Sequence, residues 1–338
     1  MKAVWKTAWI VFGLVILSAG TGLAQSEIAI GHQLMYNPWK VAIADGGIER
    51  ATGRTIEWRR FDSGAKVINA IASGAVQAAL SGSSPIAAGI SRGLDIEVVW
   101  VFQDIAAAEA LVAREGAGIA APQDLKGKKI GVPFASTTHF HTLFALEQFG
   151  IEPDEVTIRN LQPPEIVEAW DSGEIDAAFV WDPALGHIKK SGKVLITSGL
   201  LSSWGKATFD ALVVDGRFAA ENADFMCRLI KTIAAADEAY RSDPSAWGPE
   251  SPEAAAIASL VGGDPTDVPV VLGLYEFPTL DEQVSDRWLG GGKVGGVGRA
   301  LSSTADFLKD EGKVRTLSED YSRHVNPKFV QMVLNGDC

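Results

Sequence analysis

Two clusters of hydroxyl-bearing residues stand where strand-like runs give way to helical patterns. Ser81-Gly-Ser-Ser-Pro85 follows the run at 76–80, and Ser136-Thr-Thr-His139 follows the run at 129–134. Hydroxyl groups and the free backbone N–H groups of a helix N-terminus bind anions, although the same residues are also ordinary N-caps. Because the two clusters occupy corresponding places, the sequence favours one anion shared between them over two unrelated caps.

The sequence contains no signature of an enzyme or a metal site. The five histidines include no His-Glu-x-x-His motif, and His139 and His141 would point to different sides of a helix. No Gly-x-Ser-x-Gly elbow offers a nucleophile. The glycine-rich stretch 290–298 has no Ser or Thr after Lys293, which a phosphate-binding loop requires. We therefore predict no catalytic residues, no metal and no cofactor.

The sequence contains an internal repeat. Residues 68–80 align without gaps with residues 167–179, and each copy reads as an amphipathic helix, a Ser-Gly pair and a short apolar strand. Gly74 and Gly173 suit the left-handed cap that ends such a helix. The copies start about 100 residues apart, which is too far for a solenoid and indicates two related lobes.

Strand-like and helical segments alternate on both sides of this repeat. The alternation predicts α/β lobes built on mostly parallel sheets with flanking helices. From residue 219 onward the pattern is predominantly helical, and we expect this tail to pack against the first lobe. The predicted strands lie at 27–30, 55–61, 76–80 and 96–101 in the first lobe and at 129–134, 156–161, 175–180 and 194–196 in the second.

The composition excludes several classes of protein. Hydrophobic residues make up 47% of the 338 residues, too many for a disordered chain, and a net charge of −12 argues against nucleic acid or an anionic membrane as the main partner. Basic, apolar and then small residues over 1–24 predict a cleaved signal peptide and a soluble periplasmic product. In that oxidising compartment Cys227 and Cys338 either pair or stay free, and the sequence leaves the choice open.

Several short strings resemble the taurine-binding proteins of ABC importers, and the resemblance extends from Ile28 to about Val330. It implies a two-lobed type II periplasmic-binding-protein fold, with a ligand cleft between the lobes that closes by a hinge motion. It also implies a monomeric, non-enzymatic receptor that captures taurine or a related small sulfonate and delivers it to a permease. The strings are Phe61-Asp-Ser-Gly64, Gly82-Ser-Ser-Pro85, Glu109-Ala-Leu-Val112, Val132-Pro-Phe134 with Ser136-Thr-Thr-His139, Asn160-Leu-Gln-Pro-Pro164, Trp204-Gly205 with Asp210, and Thr304-Ala-Asp-Phe-Leu308.

The implied organisation is a signal peptide at 1–24, a first lobe at 25–110, a second lobe at 111–213, and a return to the first lobe with C-terminal helices at 214–338. Two alternatives stay open. One is an exported enzyme on the same fold. The other is a sensory binding protein for a different small anion or zwitterion, such as an aminophosphonate.

Taurine carries a permanently ionised sulfonate and an ammonium group, so its site must have two ends of opposite character. The sulfonate end is expected to use Gln33, Ser83, Ser84, Thr137, Thr138 and His139. The ammonium end is expected to use Glu109 and Asp210, with Asp182 either as a third carboxylate or as the cap of the helix after Pro183. Aromatic walls are expected from His32, Tyr36, Trp181 and Trp204. If His139 acts as a neutral donor, affinity should be nearly independent of pH from mildly acidic to neutral conditions. If His139 must instead be protonated, affinity should fall as the pH rises through the imidazole range.

Overall fold

The computed structural model describes Met1 and residues 27–338, so the predicted signal peptide, apart from Met1, lies outside the described residues. Within them, ten strands form two five-stranded sheets. No helix in the described part of the chain is both long and apolar enough to span a membrane. The strands are β1 (Ile28–Gln33), β2 (Ile56–Phe61), β3 (Ala78–Gly82), β4 (Ile96–Asp104), β5 (Glu109–Arg114), β6 (Lys129–Val132), β7 (Thr157–Asn160), β8 (Ala177–Trp181), β9 (Gly192–Thr197) and β10 (Phe209–Asp215).

Helices cover the faces of both sheets and form the C-terminal tail. The helices are α1 (Lys40–Ala44), α2 (Gly47–Thr52), α3 (Gly64–Ala72), α4 (Ser83–Ser91), α5 (Thr137–Gln148), α6 (Pro163–Asp171), α7 (Ala184–Lys189), α8 (Ser198–Ser203), α9 (Gly216–Glu221), α10 (Ala223–Ser242), α11 (Pro252–Val261), α12 (Val268–Leu272), α13 (Leu280–Gln283), α14 (Gly296–Asp310) and α15 (Lys328–Asn335).

Each lobe is a mostly parallel sheet with one reversed strand next to its centre. The first sheet has the order β2-β1-β3-β10-β4, and the second has the order β7-β6-β8-β5-β9. Strand β10 runs antiparallel to both its neighbours, and so does β5. The predicted two-lobed α/β fold of mostly parallel sheets is therefore confirmed.

The chain crosses between the lobes twice, through the short segments 105–108 and 204–208. The strand after each crossing enters the sheet of the lobe that the chain has just reached, so β5 belongs to the second sheet and β10 to the first. The boundaries expected at 110 and 213 fall inside these two strands. The crossings lie a few residues before the expected boundaries, because β5 and β10 begin directly after segments 105–108 and 204–208.

The two copies of the internal repeat build the middle of each sheet. In the first copy α3 is followed by Gly74, with φ of 71°, and then by β3. In the second copy α6 is followed by Gly173, with φ of 73°, and then by β8. A side chain at these angles would be strained, so glycine permits the abrupt end of each helix. The repeat thus places β3 and β8, and the segments after them, at equivalent positions.

The C-terminal tail packs mainly on the first lobe. Buried residues of α10, α14 and α15 belong to the same core as those of β1, β3 and β4. The last turns of α14 also touch the second lobe, where the Phe307 ring packs edge-on against Phe140 at 5.2 Å. A disulfide joins Cys227, buried in α10, to Cys338 at the end of the chain. This bond fixes the C-terminus to the first lobe.

Candidate functional site

A small cavity lies between the two lobes, at the ends of β1, β3 and β8 and at the starts of β5 and β10. About 230 Å³ of space free of protein atoms lies here, part of it open to solvent. Five of the residues predicted from the sequence line it, which are Gln33, Glu109, Thr137, Trp181 and Asp210. The full lining is Gln33, Met35, Gly64, Gly82, Pro85 and Asp210 from the first lobe, and Glu109, Ser136, Thr137 and Trp181 from the second.

Three helices begin at this cavity. Helix α3 begins at Gly64, α4 begins at Ser83 and α5 begins at Thr137, and each has at least nine residues. The first N–H groups of a helix have no partner within it, and the helix dipole makes that end positive. Beside them, the buried hydroxyls of Ser81 and Ser84 have no hydrogen-bond partner among the described residues. These N–H and hydroxyl groups together suit an anion with several acceptor oxygens.

Two carboxylates enter the cavity from opposite lobes. Glu109, the first residue of β5, lies within hydrogen-bond distance of Thr137 Oγ1 at 2.5 Å and Ser198 Oγ at 3.0 Å, and accepts from both hydroxyls when it is ionised. Asp210, the second residue of β10, accepts one from Gln103 Nε2 at 2.9 Å. Both are only 3% exposed. No Lys, Arg or His is found among the described residues that line the cavity, so neither acid has a protein counter-charge there.

Burial controls the protonation of both acids. Loss of solvation, together with the nearby Asp210 carboxylate, raises the pKa of Glu109 to about 8 against the opposing effect of the two hydroxyl donors. Burial likewise raises the pKa of Asp210 to about 7, and the hydrogen bond from Gln103 opposes this shift. At neutral pH Glu109 therefore holds a proton when no cation is present. A cationic ligand group would favour the ionised form of both acids.

Three residues expected at the sulfonate end use their side chains elsewhere. Ser83 Oγ accepts a hydrogen bond from Phe209 N at 3.4 Å, and Thr138 Oγ1 lies 2.8 Å from Ser136 Oγ. The His139 ring stacks on a neighbouring phenylalanine ring at 4.5 Å. Successive residues of a helix point about 100° apart, so only some of the first residues of α4 and α5 can face the cavity. Ser84 is buried beside the cavity but outside its lining.

The expected aromatic walls are reduced to one residue. Trp181 is 2% exposed and donates from Nε1 to the Leu34 carbonyl at 3.0 Å, which connects the second lobe to the first. His32 and Tyr36 are buried but lie outside the cavity lining. Trp204 is 45% exposed at the end of α8 and lies outside the cavity lining.

Asp182 is also outside the lining and caps a helix. Its Oδ1 accepts a hydrogen bond from Gly186 N at 2.8 Å, at the start of α7. Burial raises the pKa of Asp182 to about 6. Asp182 thus makes the helix-capping contact that was one of its two expected roles.

Sequence reasoning missed several residues at or just behind the cavity. Met35 and Ser136 line it, while Gln103 and Ser198 hold the two acids in place. Ser136 belongs to the hydroxyl-bearing cluster Ser136-Thr-Thr-His139. The positions of Gln103 and Ser198 depend on contacts between distant segments, and no local pattern marks them.

Known proteins are similar in sequence to this chain over most of its length. Residues 60–246 match a family model described as "NMT1/THI5 like". The chain is 39% identical over 305 residues to the taurine-binding periplasmic protein of Escherichia coli (strain K12), covering 90% of this chain and 93% of that protein. It is 29% identical over 211 residues to a putative aliphatic sulfonates-binding protein of Bacillus subtilis (strain 168), covering 61% and 63%.

Solved structures show the same fold. The alkanesulfonate-binding protein SsuA from Xanthomonas axonopodis pv. citri, bound to MOPS, superposes with a TM-score of 0.71. The two sequences are 21% identical, and the match covers 86% of this chain and 96% of that one. At this identity the likeness concerns the fold alone.

Proposed function

This chain belongs to the NMT1/THI5-like family, and on that premise we propose that it is a periplasmic solute-binding protein that captures taurine and delivers it to an ABC importer. Its two relatives described above are named as binding proteins. The cavity lining in the described residues holds acids, hydroxyls, an amide, a thioether and a tryptophan. Binding and release, without a chemical step, fit this set of groups.

The main support for this function is the pair of buried carboxylates in the cavity. Glu109 and Asp210 meet in one cavity from opposite lobes and find no basic side chain among its described lining residues. Two buried acids without a counter-charge are unfavourable, and a ligand ammonium would relieve that cost. The N-termini of α3, α4 and α5 open onto the same cavity, and their N–H groups can receive the sulfonate of the same small molecule. Taurine combines these two groups.

Calorimetry with ligand-free protein tests this function. Taurine and ethanesulfonate share the sulfonate, but only taurine has an ammonium. We expect taurine to bind more tightly by a factor on the order of 100 or more, because ethanesulfonate leaves both acids without a partner. Isethionate, with a hydroxyl in place of the ammonium, should lie between them. Equal affinities for taurine and ethanesulfonate would show that the acids do not recognise the ligand.

Taurine affinity should increase with pH between about 6 and 8. The ammonium binds ionised carboxylates, and the pKa of Asp210 in the empty cavity is about 7, so a proton must leave before Asp210 can accept from the ligand. Burial lowers the pKa of His139 to about 4, so this ring stays neutral throughout that range. The nearly flat profile expected from the sequence is thus replaced by a rising one. Titrations at several pH values, repeated on Asp210→Asn, measure the contribution of this acid.

Gly82→Ala should weaken taurine binding without unfolding the protein. A Cβ at this position would lie 2.9 Å from Thr137 Cγ2, on the opposite lobe, and 3.5 Å from Asp210 Oδ1. The added methyl group would hold the lobes apart, at a cost of about 1–3 kcal/mol in binding free energy. Gly248→Ala is the matched control, because the nearest atom to its Cβ would be 3.8 Å away. If both variants bind taurine like the parent, the lobes do not close on this contact.

A further inference from the structure

A chain of buried hydrogen bonds runs from the cavity to the segment where the polypeptide crosses between lobes. Ser198 Oγ lies 3.0 Å from Glu109 Oε2 and 2.8 Å from His141 Nδ1. The other ring nitrogen, His141 Nε2, lies 2.8 Å from the carbonyl oxygen of Lys206. Ser198 and His141 are fully buried and Glu109 is nearly so. His141 is thus one hydroxyl group removed from an acid of the proposed taurine site.

The donors and acceptors of this chain allow two complete arrangements. The Lys206 carbonyl only accepts, so His141 Nε2 must carry a proton. If Glu109 is protonated, its Oε2 donates to Ser198, Ser198 donates to Nδ1, and His141 is neutral. If Glu109 is ionised, Ser198 must donate to it, and His141 Nδ1 must then donate to Ser198. The second arrangement requires the imidazolium, because both ring nitrogens are donors.

Mixed states leave a contact unsatisfied. With Glu109 ionised and His141 neutral, either Nδ1 faces the oxygen of Ser198 without a proton, or Nε2 faces the Lys206 carbonyl without one. When two buried acceptors face each other, no hydrogen bond forms between them, and the cost of removing both from water is not compensated. The protonation of Glu109 and that of His141 are therefore coupled by geometry.

We infer that, when the ligand's ammonium binds, Glu109 passes its proton through Ser198 to His141 and does not release it to solvent. In this step the proton on Glu109 Oε2 moves to Ser198 Oγ while the Ser198 proton moves to His141 Nδ1, so the proton count of the protein is unchanged. The inference rests on the proposed function, since it needs a cationic ligand. It makes His141 a positioning residue that stabilises the ionised acid.

Charge balance in the closed site supports this transfer. Taurine is a zwitterion with no net charge, so ionised Glu109 and Asp210 would leave two negative charges in a cavity whose described lining has no cation. An imidazolium at His141 supplies one buried positive charge close to Glu109. Lys206 does not take this role, because its ammonium lies over the rings of Phe144 and Phe307, at 5.7 and 5.3 Å.

The surroundings of the chain contain few other titratable groups. Glu109 faces Asp210 and the hydroxyls of Thr137 and Ser198, and its charge also reaches Tyr275. His141 packs against the rings of Phe140 and Phe179 and bonds to Ser198 and the Lys206 main chain. With no anion beside it, burial lowers the pKa of His141 to about 4, which keeps the ring neutral in the empty protein. Ionised Glu109 provides the missing anion.

Nitrogen NMR of ¹⁵N-histidine-labelled protein tests the inference directly. In ligand-free protein near neutral pH, His141 should give the signals of a neutral ring protonated at Nε2. Saturating taurine should change them to the imidazolium pattern, while His139 and the exposed His187 keep theirs. Assignment comes from the spectra of His141→Gln. If taurine binds and His141 stays neutral, the transfer does not occur; if taurine does not bind, the proposed function itself fails.

Proton counting by calorimetry gives a second readout. Taurine is titrated in buffers of different ionisation enthalpy, and the dependence of the heat on the buffer gives the number of protons released. His141→Gln cannot accept a proton, so at neutral pH it should release about one proton more per taurine than the parent. His139→Gln, two residues earlier on α5 and stacked away from the chain, is the control and should match the parent. Equal proton release by the parent and His141→Gln would overturn the inference.

Discussion

Asp210→Asn should bind taurine about 10- to 150-fold more weakly than the parent protein, the effect of losing a charge-assisted hydrogen bond worth roughly 1.5–3 kcal/mol. One oxygen of Asp210 already accepts from Gln103 Nε2. In the variant the amide oxygen can keep that bond, and the amide nitrogen then faces the ligand. The ligand ammonium, itself a donor, then faces an N–H donor in place of the carboxylate oxygen that accepts from it in the parent. Calorimetry at a pH above 8 measures the loss with the parent acid ionised.

Isethionate distinguishes recognition of the ammonium from a structural role of Asp210. Its hydroxyl can accept a hydrogen bond from an amide, so the variant should lose less affinity for isethionate than for taurine. Trp204→Ala provides a control outside the cavity and should bind both ligands like the parent. If Asp210→Asn weakens both ligands equally, the acid acts by holding the lobes in place.

Cys338→Ser should lower the free energy of unfolding by about 2–4 kcal/mol and leave taurine affinity unchanged. The disulfide links residues 111 positions apart, so breaking it frees a long loop in the unfolded chain. The geometry of the cavity in the folded protein should not change, because Cys227 lies in α10 on the first lobe and outside the cavity lining. Urea unfolding monitored by tryptophan fluorescence gives the comparison.

A reducing agent provides the internal control for this measurement. It should shift the unfolding midpoint of the parent protein towards that of Cys338→Ser and should not move the midpoint of the variant. Identical unfolding curves for the parent and the variant under oxidising conditions would show that the bond adds nothing to stability.

The lobes could be predicted from the sequence because their signals are local. A helix that ends at Gly74 or Gly173 and a strand that follows directly form a pattern within a dozen residues, and the pattern occurs twice. The direction of β5 and β10 within their sheets has no such signal. A buried apolar strand has the same composition in either direction, and only the path of the crossing segments decides it.

The site could be predicted only in part for a similar reason. Glu109, Thr137 and Asp210 reach the cavity, whereas His139 turns away, although it belongs to the same cluster as Thr137. Which face of α5 meets the cavity depends on how the helix packs on the second sheet, and that packing involves residues far along the chain. His141 looked like an isolated histidine in the sequence because its partners are 57 and 65 residues away.

The two acids of the cavity lie on different lobes, and this disfavours closure of the lobes in the ligand-free protein. Bringing Glu109 and Asp210 together without a ligand either buries two like charges or requires a proton from solution. Both routes cost free energy, and the ammonium of the cargo removes that cost. An importer that recognises the closed form would therefore bind mainly ligand-loaded receptor. ATP hydrolysis without substrate transport would then be limited.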